Sequence, residues 1–246
     1  MRVILTGASG RMGRQMLALF QSVGDITVIA VDKNVGGGEF DCIIARYSDI
    51  CDVKERADVI VDFSLHTATC EVVESAVKRN IPLVVATTGH TAYERGYIEK
   101  ASEQIPVFIA SNMSIAIAYI KRFSEKLARI FPDADVEIIE AHHAKKIDSP
   151  SGTALSIAKR IVRERGFGKV VVGRGGGREK GDVNVHALRI GASLGEHEVI
   201  IDTSGERMVF RHEVFCRSVY AEGALRALRF ILLQNKGLYG IEDILP

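Results

Sequence analysis

The residues best suited to chemistry in this 246-residue chain crowd into one stretch, 137–154: Glu-Ile-Ile-Glu-Ala-His-His-Ala-Lys-Lys-Ile-Asp-Ser-Pro-Ser-Gly-Thr-Ala. Two imidazoles, His142 and His143, and two amines, Lys145 and Lys146, stand just ahead of Ser149, Pro150, Ser151, Gly152 and Thr153. The latter group reads as a helix start. Ser149 suits the N-cap and Pro150 the first helical position, where no N–H is needed; an amphipathic run then extends to 165. On that reading the N–H groups of Ser151, Gly152 and Thr153 are left unpaired at the positive end of the helix, and Gly152 lets a ligand approach the backbone. The combination suits proton transfer to or from an anionic small molecule. A solvated basic loop before a capped helix is the plain alternative, and Lys146 together with the Ser-Gly-Thr turn favours chemistry over it.

The elements that must position these groups follow from periodicity. Residues 135–141 set Val136, Ile138 and Ile139 among acids, as in a half-buried strand running out into a loop. At the N-terminus a short apolar strand, 2–6, leads into Gly7-x-x-Gly10-x-x-Gly13 and a helix over 15–22, a strand-to-helix unit with a phosphate turn. Gly7, Ala8, Ser9, Gly10, Arg11 and Met12 are expected around a pyrophosphate. A second strand, 26–31, ends at Asp32, about twenty residues beyond the glycines, where a dinucleotide fold sets an acid on the adenosine ribose. Asp32 favours the free hydroxyls of NADH, whereas Lys33 suits the 2′-phosphate of NADPH, so both cofactors are expected. Residues 36–38, three glycines, begin a flexible connection. Strand and helix then alternate through 58–63, 67–78, 82–86, 92–102 and 107–110, which predicts a parallel, doubly wound α/β sheet. Ligands lie beyond the carboxyl ends of such strands, so Phe63 and Ser64, Ala86, Thr87 and Thr88, and Ala110, Ser111, Asn112 and Met113 are expected to edge a nicotinamide.

After Asn112 the pattern changes to a long helix, 115–131, the motif above with its helix, and strands at 170–172, 183–190, 198–203 and 207–215, the last two joined at Ser204-Gly205. That succession predicts an inserted α+β domain with an antiparallel or mixed sheet. Residues 173–181, glycine-rich and charged, read as a mobile loop, and a terminal helix, 221–234, is expected to pack back on the nucleotide domain. With 32 basic against 31 acidic residues, no global field favours nucleic acid or a membrane surface, so a cationic site must be local. Cys42, Cys51, Cys70 and Cys216 are scattered, no signal peptide precedes the first strand, and no apolar run nears the roughly 20 residues a membrane helix needs, so a cytoplasmic protein is expected. His66, His90, His186, His197 and His212 make no ligand spacing, and no metal is expected.

Taken together, these motifs resemble the dihydrodipicolinate reductase family along the whole chain. Glu137, Ile138, Glu140, His142, Lys146, Asp148 and the Pro150-Ser-Gly-Thr-Ala154 run fit its signature, and the glycine turn, Asp62-Phe-Ser64, Thr87-Thr-Gly89, Asn112, Gly195-Glu-His197 and Gly223-Ala224 fall in its order. The resemblance implies a Rossmann-type domain of residues 1–113 plus 217–246. It also implies a substrate domain of residues 114–216 that builds a homotetramer. The implied reaction is NAD(P)H-dependent reduction of 4-hydroxy-tetrahydrodipicolinate, a small cyclic dicarboxylate, in diaminopimelate and lysine biosynthesis. His142 and Lys146 would be its acid–base pair, and His143 would contact a substrate carboxylate. Gly152 and Thr153 would bind a carboxylate through backbone and hydroxyl, and Arg217 would help hold the substrate. The sequence departs from the family where Ala86 replaces a frequent Gly, Met113 an aromatic, and Ile190-Gly191 a Gly-Gly, and over 173–181. The rival readings are another dehydrogenase of the same architecture, a non-enzymatic NAD sensor with no use for His142 and Lys146, and a zinc hydrolase.

Overall fold

Strands and helices alternate along much of the N-terminal part of the chain because short β-branched runs are followed by amphipathic ones, although the strands Thr27–Val31, Ile43–Tyr47 and Val59–Asp62 follow one another with no α-helix between them among the described residues. A computed structural model describes residues 1–34 and 39–246; the glycine run at 36–38, expected to open a flexible connection, lies outside the described residues. In chain order, β1 (Arg2–Thr6), α1 (Arg11–Val23), β2 (Thr27–Val31), β3 (Ile43–Tyr47), β4 (Val59–Asp62), α2 (Thr69–Arg79), β5 (Leu83–Val85), α3 (Ala92–Ala101) and β6 (Pro106–Ile109) come first. Next are α4 (Ile115–Ile130), β7 (Asp135–His142), α5 (Gly152–Arg165), β8 (Val170–Val172), β9 (Val183–Arg189), β10 (Glu196–Asp202) and β11 (Arg207–Glu213). The chain closes with α6 (Ser218–Ile231) and β12 (Gly237–Tyr239). It divides into two units, Met1–Ser114 with Arg217–Pro246, and Ile115–Cys216.

The first unit is a seven-stranded sheet in the order β12-β6-β5-β4-β1-β2-β3, with every neighbouring pair parallel. Its central strands are buried on both faces, as Val3, Ile4 and Leu5 of β1 and Val59, Ile60 and Val61 of β4 attest, which is why they read as continuous apolar runs. Two short strands, β3 and β12, were not expected. They form the two edges, and β12 pairs with β6 after a terminal helix that begins and ends about three residues earlier than its periodicity indicated. Helix α6 packs against α1, β5 and β6. At Gly223 a Cβ would lie 1.7 Å from the carbonyl oxygen of Met113, so only glycine permits this approach.

The second unit is a five-stranded mixed sheet, β11-β10-β7-β9-β8, with β7, β9 and β8 parallel and β10 and β11 antiparallel. Val136 and Ile138 of β7, Val183 and Val185 of β9 and Val199 and Ile201 of β10 share a core with Ala154, Ile157, Ala158 and Ile161 of α5. The same inward face carries Glu140, directly opposite His197 of β10, which is in turn opposite His212 of β11. Ser204 in the β10–β11 turn adopts a left-handed conformation (φ 69°), with its N–H held by Asp202 Oδ1 at 2.8 Å. The loop 173–181, read from composition as mobile, is tied down: Arg174 and Arg178 both pair with Glu137 of β7, and Arg178 also reaches Asp135.

Candidate active site

In the first unit the residues expected to bind the cofactor lie where parallel strands end. Gly7 follows β1 with φ +69°, and a Cβ there would come within 2.4 Å of the Phe63 carbonyl oxygen, so the turn closes only around glycine. Ala8 and Ser9 continue it. Gly10 is the N-cap of α1 and offers no side chain, leaving Arg11 and Met12 at the positive end of a 13-residue helix. Asp32 follows β2 and accepts hydrogen bonds from the Ser9 N–H (2.9 Å) and the Asn34 N–H (3.0 Å), with exposed Lys33 between those contacts in sequence. Ala8, Ser9, Asp32, Arg46 and Tyr47 line one small cavity. A side-chain-free helix start beside an acid that retains acceptor capacity is the donor and acceptor set a dinucleotide needs.

The neighbouring strand ends are laced together by one carboxylate. Asp62, fully buried at the end of β4, accepts from Thr6 Oγ1 (2.6 Å), Ser64 N–H (2.9 Å), Ser64 Oγ (2.5 Å) and Thr87 Oγ1 (2.9 Å). The Ala86 N–H donates to the Asp62 carbonyl and the Ala110 N–H to Val85. Thr87 is therefore buried while Thr88 is exposed. Ser111, Asn112 and Met113 follow β6, and Asn112 Oδ1 accepts from the Ser114 N–H (2.9 Å). The strand order brings the segments that follow β1, β2, β4, β5 and β6 to one edge of the sheet.

In the second unit β7 delivers the imidazole. His142 is its last residue, and the loop beyond turns so that Lys146 N–H donates to the His143 carbonyl (3.0 Å) and His143 N–H to Ser193 (2.8 Å). Lys145 is exposed; Lys146 Nζ meets Asp148 Oδ1 at 2.7 Å. His142 Nδ1 lies 2.6 Å from Glu140 Oε2. Arg189, the residue opposite His142 on β9, forks onto Glu140 through Nη2–Oε1 (2.8 Å) and Nη1–Oε2 (3.0 Å). Its Nη2 also donates to the Asp148 carbonyl at 2.6 Å. Burial raises the Glu140 carboxyl, but His142, Arg189 and the Ser151 N–H outweigh it and hold it down at about 2.

The helix start differs from the expected one. Its N-cap is Ser151, not Ser149; Ser151 Oγ accepts from the Ala154 N–H (3.2 Å), and Gly152 opens the 14-residue helix α5. Nor is the Ser151 N–H unpaired: it donates to Glu140 Oε1 at 2.9 Å, which selects this serine over the other. Ser151 thus faces inward, with Oγ also 3.3 Å from His197 Nε2, and Gly152 and Thr153 follow it as the first two residues of the helix. Nothing lies within 4 Å of where a Gly152 Cβ would stand, so the protein's own packing does not require that glycine. His197 is buried, edge-on to His142 with centroids 5.4 Å apart, and burial together with His142 and His212 pushes it down to about 3. It is neutral at physiological pH. Arg217, in the first unit, precedes α6.

Glu140, Arg189 and His197 were given no individual role by sequence reading. The alternation of β7 did carry a signal for one of them. Glu140 stands two residues beyond Ile138 on the inward face, and a carboxylate at such a position must find partners.

Two family models cover almost all of the chain: "Dihydrodipicolinate reductase, N-terminus" over residues 1–113 and "Dihydrodipicolinate reductase, C-terminus" over 116–245. The chain belongs to the dihydrodipicolinate reductase family. It is accordingly an oxidoreductase that uses a nicotinamide dinucleotide. The 4-hydroxy-tetrahydrodipicolinate reductase of Caldanaerobacter subterraneus subsp. tengcongensis is 38% identical over 250 residues, 99% of this chain and 97% of its own. That of Thermomicrobium roseum is 38% identical over 255 residues, 99% of each. Among solved structures, a dipicolinate-bound dihydrodipicolinate reductase from Paenisporosarcina sp. TG-14 has the same fold, with a TM-score of 0.80, 23% identity and 99% of each chain covered. A myo-inositol dehydrogenase from Corynebacterium glutamicum is also similar in fold (TM-score 0.66, 16% identity, 96% of this chain and 90% of that one).

Proposed function

We infer that this chain reduces 4-hydroxy-tetrahydrodipicolinate to tetrahydrodipicolinate with NADH or NADPH, in the route to diaminopimelate and lysine. The observation that carries the reading is the full-length family match, joined to a loop that sets His142 and Lys146 directly before a helix start with backbone donors at Gly152 and Thr153. The net change consumes substrate, dihydronicotinamide and one proton, and yields tetrahydrodipicolinate, oxidised nicotinamide and water. A bound nicotinamide would supply the hydride, which C4 of the ring accepts once its hydroxyl has left as water. This chain's own residues account for the remainder. Gly152 N–H, Thr153 and His143 bind the substrate carboxylates. Lys146 places positive charge where the ring nitrogen gains electron density, and His142 or Lys146 delivers the proton as acid–base pair. The open space beside Gly152 supports this assignment, since a side chain there would occupy the helix mouth.

In the nucleotide unit, Gly7, Ala8, Ser9, Gly10, Arg11 and Met12 hold the pyrophosphate, and Asp32 with Lys33 the adenosine ribose. Ala86, Thr87, Thr88, Ala110, Ser111, Asn112 and Met113 edge the nicotinamide. Asp32 favours NADH and Lys33 NADPH, which supports use of both; Arg46, lining the same cavity as Asp32, adds a second cation on the NADPH side. A homotetramer built by the second unit is supported by Leu188 of β9 and Val209 of β11, each about half exposed. Light scattering checks it. The decisive assay generates the substrate in place from pyruvate and aspartate semialdehyde with the preceding synthase and follows NADH and NADPH oxidation. Rapid oxidation supports the reductase; none with either cofactor, despite nucleotide binding, returns the chain to another dehydrogenase activity or a sensor.

A further inference from the structure

Glu140 touches both halves of the substrate site through direct hydrogen bonds. One oxygen, Oε2, meets His142 Nδ1; the other, Oε1, receives the Ser151 N–H that opens the turn into α5. Arg189 closes the arrangement by spanning both oxygens and continuing to the Asp148 carbonyl, so the loop from 143 to 150 is pinned near both ends to the same carboxylate. The carboxylate is inaccessible to water, and every oxygen has two protein partners.

From this geometry we infer that Glu140, clamped by Arg189, is a positioning residue that sets two things at once: the ring orientation of His142 and its spacing from the Gly152–Thr153 donors. Its contact with Nδ1 puts a proton on that nitrogen and leaves Nε2 as the atom that exchanges a proton with substrate. Because Arg189 and Ser151 already engage the carboxylate, Glu140 stays ionised and does not itself relay the proton. The two ends of the site are thereby held at one separation by a rigid group on β7 rather than by the loop that joins them. A ligand with a carboxylate at one end and a proton-accepting ring atom at the other is selected by that separation. Arg189 prevents the buried carboxylate from turning toward the imidazole alone, which would release the helix start.

This inference rests on the reductase reading for its turnover measurement, and two further readouts are independent of turnover. Glu140→Gln removes the charge and keeps the size; Arg189→Lys keeps the charge and loses the fork. For Glu140→Gln we expect kcat per folded molecule to fall about 100-fold or more, and pyridine-2,6-dicarboxylate to bind about 10-fold more weakly. NADPH affinity, measured by calorimetry, should stay within twofold, because that site lies in the other unit. Nitrogen-15 NMR of the His142 ring should show one tautomer, protonated at Nδ1, in the native protein and a mixture in the variant. Arg189→Lys should lie between the two in kcat and dicarboxylate affinity and serves if Glu140→Gln does not fold. Unchanged kcat per folded molecule and an unchanged tautomer ratio in either variant would overturn the inference and leave Glu140 a stability residue only. If the native protein turns over no substrate, yet its His142 tautomer and dicarboxylate affinity depend on Glu140 as described, the reductase reading fails and the positioning role stands.

Discussion

Each unit buries one carboxylate completely at the end of a strand, and the two are satisfied in opposite ways. Asp62 is surrounded by three hydroxyls and a backbone N–H, and among the described residues it joins no ion pair. Glu140 is held by a guanidinium, an imidazole and a helix-start N–H. The difference matches the chemistry proposed for each unit. Around Asp62, neutral donors tie three strand ends into a rim without adding positive charge of their own, and the proposed reading leaves the nucleotide to the backbone of the glycine turn. Around Glu140, titratable groups are drawn together, as the proton transfer proposed for the second unit requires. A neutral cradle makes shape; an ionic one makes shape and chemistry.

The largest expected effect separates the units outright. Lys146→Ala should reduce kcat by about 10²–10⁴-fold in the coupled assay while leaving NADPH affinity by calorimetry unchanged. A parallel loss of nucleotide binding would break the comparison. Next, the two carboxylates should differ in how hard neutralisation strikes. Glu140→Gln leaves the half-buried Arg189 without its fully buried counter-charge and should cost about 3 kcal/mol in denaturant titration. Asp62→Asn faces only rotatable hydroxyls and one N–H and should cost about 1–3 kcal/mol. Equal losses would mean that the ionic and neutral cradles are energetically the same.

Acid should expose the same contrast. His197 is neutral in the folded protein, with its value pushed from 6.5 down to about 3, so the unfolded chain binds a proton that the folded one refuses. Its contribution is complete above pH 6.5 and is lost as pH falls toward 3; on this residue alone the protein should lose about 2 kcal/mol between pH 6.5 and pH 5. Glu140 adds to the loss lower down, since its stabilisation is present above 4.5 and disappears toward 2. In the first unit His90 is shifted the same way by burial but is only half-buried beside Thr69, so its share is smaller. Thermal melts across this range, with a His197→Asn variant expected to flatten the slope, check the assignment. The smallest effect belongs to the neutral side: Lys33→Ala should raise KM for NADPH about 10-fold and leave KM for NADH within twofold.

Much of this was legible in the chain before any tertiary contact was known. Continuous apolar runs placed β1 and β4, a half-buried alternation β7, and period-3.6 patterns α4 and α5, each within a few residues, because strongly patterned segments bury their apolar faces whatever their neighbours. The edge strands β3 and β12 escaped notice, being only partly buried; β12 is also just three residues long and pairs with β6, far earlier in the chain. At the helix start Ser149 and Ser151 are both good caps by local chemistry. Glu140, arriving from the strand before, decided between them by taking the Ser151 N–H.

Residue types and spacing alone thus determined the doubly wound first unit, the mixed sheet of the second, and the loop that carries His142, Lys146, Gly152 and Thr153. Those features depend on local sequence: glycines at a turn, an apolar period, donors before a helix. Tertiary structure alone decided which polar groups are functional partners. Arg189 lies 49 residues from Glu140 and His197 lies 46 from Ser151, and only sheet register brings them together. Burial then does what spacing cannot. It removes water as a competing partner, so a carboxylate that would be solvated on a surface must commit both oxygens, and in doing so it fixes the ring and the helix start beside it.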